Sequence, residues 1–91
     1  MKNGRQVYLI LHNIRSAYNV GSIFRTADAA GVNKIYICGY SPIPSASGGA
    51  TGRAPDKISK VALGAEKTVP WEYYRQIWKL LEKLREEGIQ I

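Results

Sequence analysis

Between residues 13 and 25 the chain sets out Asn13, Arg15, Asn19, Ser22 and Arg25, with a glycine at 21. A guanidinium is a permanently charged fork whose N–H groups match the oxygens of a phosphate. Asn19 is suited to cap a helix, accepting from the free N–H groups of its first turn. Those same N–H groups and the helix dipole favour an anion. Arg15 and Arg25 on either side would then clamp a phosphate. Taken singly, Asn19 could be only a cap and Arg25 only a solvated charge.

The elements around these residues read as a βαβ unit. Residues 7–12 begin with the apolar run Val7-Tyr8-Leu9-Ile10-Leu11 and form a first strand, whose near-continuous apolar character predicts a parallel sheet covered on both faces. Residues 13–18 form a loop, residues 19–30 a helix, and Gly31 its left-handed stop. Residues 34–39, with Ile35-Tyr36-Ile37-Cys38, form a second strand, reached by a right-handed crossover. At about 100° per residue, Val20, Ile23, Phe24, Ala27 and Ala30 share the helix face that packs on the sheet. Arg25 falls opposite, beside Gly21, Ser22, Asp28 and Ala29, on a face of small side chains that another backbone or a substrate can approach. Ligands of such sheets sit where loops leave the carboxyl ends of strands.

The chain has 91 residues and a formal net charge of +6, which allows one small domain. Residues 1–40 hold Lys2, Arg5, Arg15, Arg25 and Lys34 against Asp28, a net +4 by difference, whereas residues 68–91 balance four basic against four acidic side chains. The excess lies with the proposed site and suits a polyanion, RNA being the natural candidate. No apolar run approaches the ~20 residues of a membrane span. The first six residues read as a polar lead-in with no secretory leader, and a cytoplasmic location is expected. Cys38 is expected to be a buried structural thiol, and one Cys with one His excludes a structural zinc site. No carboxylate pair or metal cluster supports a phosphatase, and His12 reads as an ordinary strand-end residue.

Residues 40–55, rich in Gly, Ser and Pro, read as a flexible loop. They lack the Gly-Lys-Ser/Thr ending of a nucleotide-binding P-loop. Asp56 is placed to cap a short helix from Lys57 to about Ala65, with Ile58, Val61 and Ala62 inward. Residues 68–71 read as an extended piece broken by Pro70. An amphipathic helix is expected from about Glu72 to Glu87, with Gly88 as its stop. Trp78 falls to the side of its apolar stripe. Residues 89–91 are expected to begin a third strand, leaving an open sheet edge that invites self-association.

The string Asn19-Val20-Gly21-Ser22-Ile23-Phe24-Arg25-Thr26-Ala27-Asp28-Ala29, preceded by Asn13-Ile14-Arg15-Ser16, resembles the first motif of the SpoU-type RNA 2′-O-ribose methyltransferases of the SPOUT superfamily. The resemblance continues in Lys60-Val61-Ala62-Leu63-Gly64-Ala65-Glu66 and Val69-Pro70-Trp71. It implies an α/β fold, a Rossmann-like three-layer parallel sheet, of which residues 1–91 make a single partial domain: the N-terminal half, without the C-terminal trefoil knot. It also implies that Asn19 and Arg25 belong to the active site, Arg25 handling the target ribose 2′-hydroxyl and its neighbouring phosphate. Arg53 and Lys57 are candidate RNA contacts, with Arg15, Asn13 and Ser22. Family members hold S-adenosylmethionine with later motifs, of Gly-x-Glu-x-x-Gly and Ser-Leu-Asn type, that lie beyond Ile91. This chain alone is therefore expected neither to bind that cofactor nor to methylate RNA.

Three functions follow from these readings. The first is an RNA ribose methyltransferase domain lacking its cofactor-binding half, acting on tRNA or rRNA. The second is a non-catalytic RNA-binding module using the same basic face. The third is an inactive fragment that forms a homodimer or larger assembly through its open edge and amphipathic helix. No metal and no membrane partner is expected.

Overall fold

The computed structural model describes residues 6–44 and 57–90. Strand β1 (Tyr8–His12) leads through helix α1 (Ala17–Ala30) to strand β2 (Lys34–Cys38). Two short helices, α2 (Lys57–Ala62) and α3 (Ala65–Thr68), precede strand β3 (Trp71–Tyr74), and helix α4 (Ile77–Glu86) follows it. The three strands form one sheet in the order β1-β2-β3. Both pairings are parallel, and the register sets His12 opposite Cys38 and Cys38 opposite Tyr74. All three strands therefore end on one line. The sheet is the α/β architecture expected from the sequence.

Successive side chains of a strand face opposite sides of the sheet, and each side has its own core. Leu11, Ile35 and Ile37 meet Val20, Phe24 and Ala27 of α1, Ile58 and Ala62 of α2, and Ala65 of α3. Tyr36 and Cys38 meet Leu80 and Leu84 of α4, with Tyr8, Ile10, Tyr74 and Ile77 packed around them. Each fully buried Phe, Ile or Leu side chain is worth roughly 1.5–3 kcal/mol of transfer free energy. Cys38 is buried, as expected, and burial pushes its thiol above the usual range, as suits a packing residue.

Five expectations change. Helix α1 starts two residues before Asn19. Its N-cap is Ser16, whose hydroxyl accepts from the Asn19 N–H at 3.1 Å. Serine in extended backbone caps as well as asparagine, and Ala17 and Tyr18 carry the helix a half-turn further back. Gly31 closes the helix in the left-handed region at φ 76°, as expected. The second change concerns the inward face of α1. Gly21 is buried and Ala30 is exposed, because α2 lies across the first half of the helix. A Cβ at residue 21 would sit 2.7 Å from the Ile58 carbonyl oxygen and 2.9 Å from the Val61 Cβ. The small-residue face does receive another backbone there, that of α2.

Third, residues 71–74 are strand, and the expected helix over 72–87 begins only at Ile77. Tyr73, Tyr74 and Ile77 fit a helical period, but aromatics also favour strands. Pairing with β2 decides the matter, anchored where the Ile35 N–H donates to the Pro70 carbonyl at 2.9 Å. Fourth, Ile89 is no strand residue: its N–H donates to the Leu84 carbonyl at 2.9 Å, and its side chain packs beneath α4. Gly88, at φ 78°, makes that reversal after the helix. The single helix expected up to Ala65 is also split, by Leu63 and Gly64 at φ 55° and 89°. Asp56, and the loop of 40–55 beyond residue 44, lie outside the described residues. No described helix is long and apolar enough to cross a membrane.

Candidate nucleic-acid interface

The three strand ends form a rim, and polar contacts tie its turns together. After β1, Asn13 takes the left-handed region at φ 58°, and its N–H donates to the Cys38 carbonyl at 3.2 Å. Its side-chain Oδ1 accepts from the Tyr40 N–H at 3.2 Å. Gly39 has φ 71°, and a Cβ there would sit 1.9 Å from that Oδ1. Only glycine allows both the turn and the bond. Ser41, buried, accepts from the Ile14 N–H at 2.8 Å and donates to the Cys38 carbonyl at 2.9 Å. From β3, the Tyr73 hydroxyl donates to the Gly39 carbonyl.

Arg15 leaves this rim with its guanidinium over the Tyr40 ring, 5.5 Å from the centroid. Tyr40 itself is 60% exposed. Asn19 is exposed in the first turn of α1, and Ser22 is half-buried beside it. Arg25 is exposed too, clear of the core. Eight residues on from Ala17, it stands roughly 12 Å further along the axis at the rise of an α-helix. Arg15 therefore starts just before α1 and Arg25 from its second half, and Arg15 is engaged with Tyr40. Among the described residues, neither arginine has a carboxylate partner. Lys57 is exposed at the start of α2, next to Ile58, whose carbonyl rests against Gly21. Arg53 lies outside the described residues. His12 is exposed at the end of β1.

Sequence reasoning missed Tyr40 and Tyr73. The signal for Tyr40 was an aromatic directly after the glycine that ends the second strand. Tyr73 was hidden by the helical period assigned to its segment. Three or more His, Cys, Asp or Glu side chains able to hold a metal ion are not gathered anywhere among the described residues.

The sequence is similar to those of known proteins. A model of the SpoU rRNA methylase family matches residues 6–91. The chain belongs to that family. It is 38% identical over 84 residues to the 23S rRNA (guanosine-2′-O-)-methyltransferase RlmB of Neisseria meningitidis, covering 91% of this chain and 30% of that protein. It is 31% identical over 90 residues to the enzyme of the same name from Vibrio vulnificus, covering 99% of this chain and 33% of that protein. A putative TrmH family tRNA/rRNA methyltransferase of Bacillus subtilis, YacO, is 33% identical over 90 residues, covering 99% and 32%. The chain thus spans about a third of the length of these relatives.

Membership of a methylase family implies a methyl donor, S-adenosylmethionine. A groove of about 440 Å³ runs along the amino-terminal half of β1, lined by Gln6 to Ile10 with Leu84, Ile89 and Gln90. It offers no lysine, arginine or carboxylate to a zwitterionic sulfonium, and it opens at the opposite end of the strand from the rim. Its lining does not fit that donor.

Proposed function

We propose that this chain is the RNA-facing part of a 2′-O-ribose methyltransferase acting on rRNA or tRNA. The observation that supports it most is the set of family-motif residues standing, among the described residues, without acidic partners at, and just behind, the rim where the strands end. A ribose 2′-oxygen attacking a methyl group needs its hydroxyl oriented and its phosphates held. Arg25 and Asn19 are the catalytic pair of this reading. Arg25 draws in the target phosphate and orients the ribose 2′-hydroxyl beside it, and Asn19 donates from its side-chain amide. Arg15, Ser22, Lys57 and Arg53 hold neighbouring phosphates. Asn13, its Oδ1 committed to Tyr40, turns its amide N–H groups to RNA. The methyl group comes from S-adenosylmethionine, bound in the family by later motifs. The chain alone binds RNA but neither holds the donor nor transfers methyl. Its setting is the cytoplasm, and β1, an edge strand with no second strand partner among the described residues, supports self-association into a dimer.

Anisotropy of a labelled rRNA hairpin tests the reading. Binding is expected to weaken between low and high salt and to fall further in Arg15→Ala and Arg25→Ala. Binding that ignores both salt and these substitutions sinks it. Calorimetry with S-adenosylmethionine and a tritiated-methyl assay should both be silent for the chain alone, whereas micromolar binding or turnover would show that the donor site is already here. Sedimentation at several concentrations checks the dimer.

A further inference from the structure

We propose that Tyr40 is a stacking platform for an unpaired RNA base, set beside the phosphates that the rim arginines hold. The inference rests on the RNA reading above and goes beyond it by assigning a base-contacting residue outside the resembled motif.

Tyr40 is exposed over 60% of its surface, so packing does not account for its aromatic ring. Yet its backbone is fixed from four directions: Asn13 Oδ1 holds its N–H, Gly39 before it donates to the Tyr74 carbonyl at 3.1 Å, Tyr73 holds the Gly39 carbonyl, and Ser41 after it is buried and hydrogen-bonded. An exposed ring on a pinned backbone is pre-organised and loses little freedom when a flat partner covers it. The Arg15 guanidinium lies over that ring at 5.5 Å and has no carboxylate partner among the described residues. A ring beside an unpaired guanidinium offers one surface for stacking and one charge for a phosphate, the combination by which proteins hold single strands. A paired base, already stacked in its helix, cannot use it. The occupant is therefore an unpaired nucleotide, in a loop, bulge or single strand.

The test uses the 91-residue chain and a mixed-sequence RNA oligonucleotide carrying one 2-aminopurine, as a single strand and as a duplex. Binding of the single strand should quench the 2-aminopurine at one position. Tyr40→Ala should weaken single-strand binding about tenfold and abolish the quenching, with duplex binding and the salt dependence unchanged. Tyr40→Phe should keep both, since the ring and not the hydroxyl is used. The melting temperatures of the variants should match the parent, because the ring is exposed. If Tyr40→Ala binds and quenches like the parent while binding remains salt-dependent, the platform is refuted and the RNA reading stands. The platform is likewise refuted if Tyr18→Ala, an equally exposed tyrosine on α1, removes the quenching instead. If the parent binds no RNA at low salt, or an acidic peptide of equal charge displaces the RNA equally well, both fall together.

Discussion

The rim at the strand ends and the face of the sheet under α4 use the same residue types to opposite ends. Under α4, cations are paired. Lys34 meets Glu72 at 2.7 Å, and Lys83 lies 3.9 Å from Glu72 and 3.8 Å from Glu87. The hydrogen bond from Lys34 draws the Glu72 carboxyl below its usual range and lifts the Lys34 ammonium above its own. Tyrosines there pack on one another, with Tyr36 edge-on to Tyr8 and to Tyr74 at 5.9 and 6.0 Å between centroids. At the rim, Arg15 lies over an aromatic ring and has no carboxylate partner among the described residues, and Tyr40 is open. A charge that has its counter-ion inside the protein contributes to folding; one left without it is available to an outside anion. Cations and tyrosines occur in both places, and what differs is the partners they have among the described residues.

Substitutions can break or sharpen that contrast. The largest effect is expected from Leu84→Ala under α4, where a buried side chain leaves a cavity costing about 2–5 kcal/mol. Urea unfolding should show the loss, while RNA affinity of the folded fraction stays unchanged. A matching loss of RNA affinity would mean that the two regions are not separable. Next comes Gly39→Ala, which must adopt φ 71° and displace Asn13 Oδ1 from its place against Tyr40. It should cost about 1–3 kcal/mol and weaken RNA binding together. Gly64→Ala is the control: it has φ 89° but nothing within 4 Å, so it should lose stability by strain alone and leave RNA binding intact.

Smaller in stability, but larger in function, are the rim arginines. Arg15→Ala and Arg25→Ala should stay within about 0.5 kcal/mol of the parent in urea. Each should reduce the slope of log affinity against log salt by about 1. The smallest effect belongs to Glu72→Gln. Glu72 has a lowered value when folded, so its contribution is present above the ordinary 4.5 and disappears as pH falls through the lower folded value. Lys34 behaves conversely: its part is present below 10.5 and disappears as pH rises through the raised folded value. Both groups are only partly buried, so solvent screening limits the pair to about 0.5 kcal/mol. Stability of Glu72→Gln should therefore fall less steeply than the parent's below about pH 4.5, with RNA binding at neutral pH unaffected.

What was legible beforehand follows from how local each signal is. Val20, Phe24 and Ala27 announce the buried stripe of α1, and Gly31 its end, because both depend on residues within one or two turns. The start of α1 was misplaced because Ser16 and Asn19 are both good caps, and a cap is chosen by the incoming chain. Tyr73 and Tyr74 satisfy two periods at once, so their strand is fixed only by the hydrogen-bonding edge of β2. Arg25 was placed outside the core by its angle on the helix, and the structure agrees. Tyr40 could not be singled out, since its exposure depends on Asn13 and Tyr73, 27 and 33 positions away.

Sequence alone determined the parallel start of the sheet, the crossover helix with its arginine turned outwards, and the basic half of the chain, since each rests on periodicity, one glycine or a charge count. Tertiary structure alone decided that residues 71–74 complete the sheet, that α2 occupies the gap at Gly21, and that Arg15 lies over Tyr40. Those contacts join residues dozens of positions apart, and only the folded backbone brings their partners within reach.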